Sequence, residues 1–283
     1  MLNRRNFVTA AFFASLLPNT AHAGLRERIQ ARKDARKAQP ASAVRPVTLD
    51  YGPALPDIYA PAGASNLPVF VHVHGGGWRN GNRKYVQSKP EWFVRNGYVF
   101  VSIDYRLLPE AEVATQARDV EKAYAFIRGN IAKYGGNPAR IAVSGHSAGC
   151  HLTALTGMRG GLPGARALVL CDVDVYDIAK QAERGALRNV HKQAFHDPAQ
   201  WTALSPATFV GSRRHPPVLI AYSKVKGHKQ SALEFSAKLK AAGTRTQVFD
   251  GSAYSHVGIN RSFGSETGGF TAATMAFLDS ALG

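Results

Sequence analysis

Acidic residues are scarce in this chain, and from Ala199 to Leu233 there are none. Against 19 Asp and Glu stand 35 Lys and Arg, a formal charge of +16. A balance this basic is first a statement about solubility. Zinc-finger spacing and aromatic-basic RNA motifs are both missing, which excludes a recognisable nucleic-acid module. Cysteine is also scarce. Cys150 and Cys171 are too few for a disulfide framework. Both lie in apolar strand or helix contexts, which suits buried free thiols. There is no internal repeat and no low-complexity tract. The N-terminal apolar stretch, Phe7–Leu17, is too short to anchor the chain across a bilayer. What remains is an ordinary globular composition, 45% apolar and 19% charged over 283 residues, enough for one sizeable core.

The N-terminus divides by composition. Residues 1–23 combine Arg4 and Arg5, the apolar stretch, Pro18 and a small-residue site at Ala21-His22-Ala23. That pattern predicts an export signal cleaved after Ala23, and so a periplasmic or secreted protein. "NRRNFV" is similar to a twin-arginine address, although paired arginines also occur in ordinary signals. Residues 24–46 hold seven Lys/Arg and two Asp/Glu, a net +5. With few apolar residues to bury, they read as a solvated basic linker, the alternative being an arm for an anionic surface. The remaining residues, 47–283, carry about +9.

From Val47 onward, apolar runs alternate with helical patterns. "LPVFVHVH", "GYVFVSIDY", "RIAVSG", "ARALVLCDV", "PPVLIAYS" and "RTQVFD" are near-continuous apolar segments, as buried parallel strands require. Val113, Ala117, Val120, Tyr124, Ile127 and Ile131 recur at helical spacing. So do Ala232, Phe235 and Leu239, and again Phe270, Ala273, Phe277 and Leu278. This alternation predicts an α/β domain, a mostly parallel central sheet with helices on both faces. The stretch Ile178–His215 is too long for a simple crossover and predicts a small lid.

The strongest chemical signal is "RIAVSGHSAGCHLTAL". A β-run ends in Gly145-His146-Ser147-Ala148-Gly149 and a helical stretch follows, the strand–turn–helix setting of a nucleophile elbow. Side chains beside the serine would clash in so tight a turn, so both flanks are glycine. The turn lifts Ser147 to a helix N-terminus, whose dipole favours a developing anion. The amide of Ala148 points to the same place. A second loop must then bring bare N–H groups to the oxyanion, and "HVHGGGW", residues 72–78, can do so because no Cβ blocks the approach. Gly76 and Gly77 are the expected donors, with His74 and Trp78 bracing the loop and His72 a core histidine.

With "DYRLLPE" (Asp104–Glu110), "YGGNPARIAVSGHSAG" (Tyr134–Gly149) and "VYDI" (Val175–Ile178), these motifs resemble α/β-hydrolase esterases. They are most similar to the branch of BD-type feruloyl esterases and kynurenine formamidases. The resemblance covers roughly residues 47–283. It implies a Ser–His–acid hydrolase of esters or amides with no cofactor and no metal, acting on a small molecule. No oligomeric state is specified.

In that fold the order is Ser, acid, His. His256, in the loop after the last strand, is the expected base. His146 and His151 fall on the elbow and its helix, and His191, His196, His215 and His228 read as surface or lid residues. The acid departs from the family pattern. Relatives carry it after the strand read here as "PPVLIAYS", but this chain continues "KVKGHKQSAL" without a carboxylate. Three alternatives are open. The acid sits in "VLCDVDVYD" as Asp172 or Asp174, or it is Asp250 at the end of the last strand. Otherwise a Ser–His pair works with Ser223 or water. The expected activity is hydrolysis of short-chain or aromatic acyl esters. The alternatives are amide hydrolysis of the arylformamidase kind and a catalytically degenerate binding protein. The basic run around the acid-free segment favours an anionic substrate.

Overall fold

Successive side chains of a strand point to opposite faces, so a strand buried on both sides must be apolar throughout. The computed structural model describes residues 46–48, 56–265 and 267–283 and shows this in its central strands. The predicted leader, and the predicted linker up to residue 45, lie outside the described residues. In β3 (Leu67–Val73), Val69, Val71 and Val73 join one core layer, and Phe70 joins the other. In β4 (Val99–Ile103), Val99, Val101 and Ile103 face the first layer and Phe100 the second. Each such side chain contributes roughly 1.5–3 kcal/mol by leaving water.

All six strand segments read from the sequence are present. β5 is Gly136–His146, β6 is Ala167–Cys171, β7 is Val218–Ser223 and β8 is Thr246–Gly251. Two strands had no apolar signature: β1 (Val47–Thr48) and β2 (Pro56–Tyr59). Pro56 and Asp57 interrupt any apolar run there. Among the described residues the sheet has eight strands in the order β1-β2-β4-β3-β5-β6-β7-β8. The β1–β2 and β2–β4 pairs are antiparallel and the other pairs are parallel.

On the first face lie α2 (Val113–Asn130), α3 (Ala148–Arg159) and α7 (His228–Ala241). On the other lie α1 (Lys89–Arg95) and α9 (Gly269–Leu282). The predicted stripes of α2 and α7 are buried. In α9, Thr274 takes the buried place expected of Ala273, which stays half-exposed. The lid is built from short helices, α4 (Ile178–Glu183), α5 (Asn189–Ala194) and α6 (Trp201–Leu204). His151 fastens it to α3 through Leu204 O at 2.9 Å. Cys150 and Cys171 are free and buried.

At the start of α1, Lys89 has no solvent exposure. Its ammonium reaches Gln87 Oε1 at 2.9 Å and Asn260 O at 3.0 Å, and lies 5.4 Å from the Phe263 ring centroid. Burial pushes it down to about 7 from an ordinary value of 10.5. Between those values the unfolded chain binds more protons than the folded one, so stability rises with pH across that window. Below pH 7 both states are protonated and the full burial penalty applies. Thermal melts of wild type and Lys89→Met should therefore differ most in the mutant's favour at and below pH 7. The mutant's relative advantage should shrink steadily towards pH 10. A difference independent of pH would contradict the depressed ammonium.

Candidate active site

β5 ends at His146 and α3 begins at Ala148, leaving Ser147 alone to make the turn. Its backbone is strained, with φ 55° and ψ −121°. The turn closes only because its flanks are bare. A Cβ on Gly145 would lie 2.1 Å from Gly149 O, and one on Gly149 would lie 2.2 Å from Val73 O. The Ser147 amide donates to Cys171 O at 3.0 Å, which ties the elbow to the end of β6.

His256 follows β8 across a turn closed by Tyr254 N–H to Gly251 O at 2.8 Å. It begins α8 (His256–Ser262), capped by Ser255 Oγ accepting from Gly258 N at 3.0 Å. Its Nε2 lies 3.0 Å from Ser147 Oγ and its Nδ1 lies 2.6 Å from Asp172 Oδ2. A carboxylate only accepts, so Nδ1 carries the proton and Nε2 is free to take one from the serine. His146 donates from Nε2 to the His256 carbonyl at 3.0 Å. Burial pushes His146 down to about 3, so it is neutral at physiological pH. His146, Asp172 and His256 offer ligand atoms within 4.8 Å of one another. Those three residues are instead already bonded among themselves.

Of the candidate acids, Asp172 alone meets His256. It sits just past β6, fully buried, with φ 66°. Burial on its own would raise the carboxyl, but hydrogen bonds from His228 and His256 outweigh it and hold the group well below the usual carboxylate range. Asp174 does not reach His256. Its carboxylate lies 3.2 Å from Arg188 Nη2 and 3.4 Å from His191 Nε2. Asp250 turns outward and accepts from Ser252 N at 2.9 Å. Ser223 contributes its amide, to Asp172 Oδ1 at 2.6 Å, while its hydroxyl accepts from Val225 N.

Three of the four histidines read from the sequence as surface or lid residues are in fact buried: His215, away from this pocket, and His228 and His191 beside it. His228 is 1% exposed and its Nδ1 lies 2.8 Å from Asp172 Oδ1. His191 is pushed down to about 4 by burial and lines the same pocket. Lysine or arginine flanks both His191 and His228 in the sequence, so no apolar pattern there marks their burial. The usable signal was a histidine at the helix start after β7, where the expected carboxylate is missing.

The glycine loop runs close against the elbow. A Cβ on Gly75 would lie 3.1 Å from Ser147 Cβ, and one on Gly76 would lie 1.9 Å from Asn80 O. Among the described residues nothing accepts from the Gly76 or Gly77 amide. Ala148, the first residue of α3, likewise has no intrahelical acceptor for its N–H. The DYRLLPE segment holds the loop from behind. Tyr105 stacks on His74 at 4.4 Å and donates to its carbonyl at 3.1 Å. The Trp78 carbonyl accepts from Leu108 N at 2.9 Å and Gln116 Nε2 at 2.8 Å. Gly76, Gly77, Ser147 and His256 open into a pocket of about 370 Å³.

Among solved structures, an arylesterase superposes with a TM-score of 0.69 at 19% identity, covering 92% of this chain and 93% of its own. EstE1, a thermophilic carboxylesterase from a metagenomic library, gives 0.69 at 22% identity, covering 94% and 99%. This chain has the α/β-hydrolase fold. Residues 56–166, less than half the chain, match the family described as BD-FAE. Esterase LipQ of Mycobacterium tuberculosis is 30% identical over 223 residues, 66% of this chain and 53% of LipQ. The chain spans about half the length, or less, of the first curated relatives it matches. Within this hydrolase fold, the carboxylate facing His256 comes after β6 and a histidine stands after β7.

Fluorophosphonate labelling of Ser147 reads the His256 hydrogen bonds directly. Asp172→Asn should slow it by about 10³-fold or more, because the amide favours the wrong tautomer of His256. Asp174→Asn and Asp250→Asn should each slow it by less than about tenfold. A comparable loss in Asp250→Asn would move the acid to β8.

Proposed function

We propose that this protein is a serine carboxylesterase that cleaves short-chain or aromatic acyl esters through an acyl-enzyme. One observation carries the reading: the unbroken series Ser147 Oγ, His256 Nε2, His256 Nδ1, Asp172 Oδ2, with spacings of 3.0 Å and 2.6 Å. Ser147 Oγ attacks the ester carbonyl carbon as its proton passes to His256 Nε2. The carbonyl oxygen becomes an anion facing the amides of Gly76, Gly77 and Ala148. Asp172 holds the imidazolium that forms. As the tetrahedral intermediate collapses, the ester C–O bond breaks and His256 gives its proton to the departing alkoxide. Water, deprotonated by the same nitrogen, then releases the acid and restores Ser147.

The esterases among the relatives support ester over amide chemistry, and the BD-FAE match supports the branch suggested by GHSAG and HGGGW. An assembled hydrogen-bond series also argues against a binding-only protein. Purified residues 24–283 should hydrolyse p-nitrophenyl acetate, and Ser147→Ala should lose at least about 10⁴-fold in kcat. Turnover that survives in Ser147→Ala would refute the mechanism.

We also propose export, on the strength of Arg4-Arg5, the apolar stretch 7–17 and Ala21-His22-Ala23. No helix among the described residues is long and apolar enough to cross a membrane. When the full chain is expressed in bacteria, sequencing of the periplasmic product should begin at Gly24. Joint Arg4→Lys and Arg5→Lys substitution should hold it in the cytoplasm if the twin-arginine route is used. A product retained with its first 23 residues would overturn the cleavage.

A further inference from the structure

One charged side chain in the Ser147 pocket takes no part in the proton transfers: Arg188, at the start of α5 in the lid. We propose that Arg188 anchors a carboxylate of the substrate, so that the preferred esters carry a free carboxylate on their acyl or alcohol part. This rests on the esterase reading of the site.

The guanidinium is fastened at one corner and open at the other. Its polar contacts converge on Nη2, which lies 3.2 Å from Asp174 Oδ1, 3.2 Å from His191 Nε2 and 3.4 Å from His228 Nε2. Nε and Nη1 have no partner among the described residues, and the side chain is 49% exposed. His191 Nδ1 accepts from the Arg188 amide at 3.3 Å, which leaves its Nε2 protonated towards Asp174, so the approach of Arg188 Nη2 to that nitrogen is a contact between donors and not a hydrogen bond. His228 donates from Nδ1 to Asp172, which leaves its Nε2 to accept from Arg188. Arg188 is thereby linked through His228, Asp172 and His256 to Ser147, at a fixed place relative to the nucleophile.

Pairing with Asp174 does not exhaust it. That contact engages one nitrogen of a group with five N–H donors. Asp174 is 6% exposed and does not line the pocket. Asp172 does line it, but is fully buried with both oxygens committed. Trp78, Val173, Val190 and Val257 supply apolar wall. A ligand carboxylate entering this pocket therefore finds one exposed cation, whose free Nη1 and Nε N–H groups can each donate a charge-assisted hydrogen bond. A neutral ester has no charge to set against those donors and gains only the weaker neutral hydrogen bond.

The test compares matched esters on purified protein. 4-Nitrophenyl butyrate and 4-nitrophenyl hemisuccinate differ by an acyl-side carboxylate, and phenyl acetate and 4-acetoxybenzoate by one on the alcohol side. Wild type should prefer the charged member of at least one pair in kcat/KM by roughly ten- to a hundredfold, as a charge-assisted contact allows. The pair that responds identifies the side. The readout is the preference ratio, since loss of Arg188 also disturbs Asp174 and His228 and lowers both rates together. Arg188→Met should abolish the ratio, Arg188→Lys should retain part of it, and added salt should compress it in wild type. Ser147-dependent turnover with no preference in either pair, or a preference that survives Arg188→Met, would overturn the anchor and leave the esterase reading standing. No Ser147-dependent turnover of any of the four esters would overturn both.

Discussion

A carboxylate removed from water is tolerated only when hydrogen bonds replace its hydration, and Asp172 meets that condition at the centre of this molecule. Oδ1 receives the Ser223 amide and His228 Nδ1, and Oδ2 receives His256 Nδ1. Those donors come from three different places in the chain: the end of β7, the start of α7 and the start of α8. Meanwhile the Asp172 amide bonds Ala221 O, and the neighbouring Cys171 carbonyl accepts from the Ser147 amide. One strand end thus places the group that orients the base and also the turn that carries the nucleophile. Parallel register makes this possible, because His146 pairs with Cys171 and Cys171 with Ala221. The carboxyl ends of β5, β6 and β7 arrive side by side.

Backbone strain collects at the same place. Among the described residues five non-glycine residues have positive φ, and Trp78, Ser147 and Asp172 are three of them. Such conformations persist only where surrounding contacts over-determine them. Trp78 is buried and its carbonyl accepts two hydrogen bonds. Ser147 is fixed by the amide bond to Cys171, and Asp172 by its three donors. The same accounting explains the consecutive glycines. Gly75 permits the approach to Ser147, and Gly76 permits the turn over Asn80.

The strands were legible in the sequence because each central one is apolar on both faces, and the helices because their stripes are wide. β2 was not, since it is a short antiparallel strand whose pairing with β4 is decided by tertiary contact rather than by composition. In the site, Ser147 and the two glycine runs were legible because their backbone geometry leaves almost no alternative residue. His256 was legible by position. The acid was not, because Asp172 and Asp174 are two residues apart and periodicity puts both on the same side of the strand end. The positive φ of Asp172 and the donors from β7, α7 and α8 separate them. His191, His228 and Arg188 were invisible for a related reason. The burial of the two histidines and the contacts of all three come from tertiary packing around the pocket, which leaves no local pattern.

The absence of a carboxylate just after β7 has a physical account. With the carboxylate carried after β6, an aspartate after β7 would stand beside Asp172 and close to Asp174. Three carboxylates so placed would repel one another and raise one another's pKa. The base needs its partner ionised, so a third carboxylate would work against the reaction. A histidine at position 228 meets the geometric demand without the charge. It donates to Asp172 on one side and accepts from Arg188 on the other, joining the two buried acids' environments instead of setting them against each other. The missing acid and the unexpected histidine thus answer to the same electrostatic constraint at Asp172.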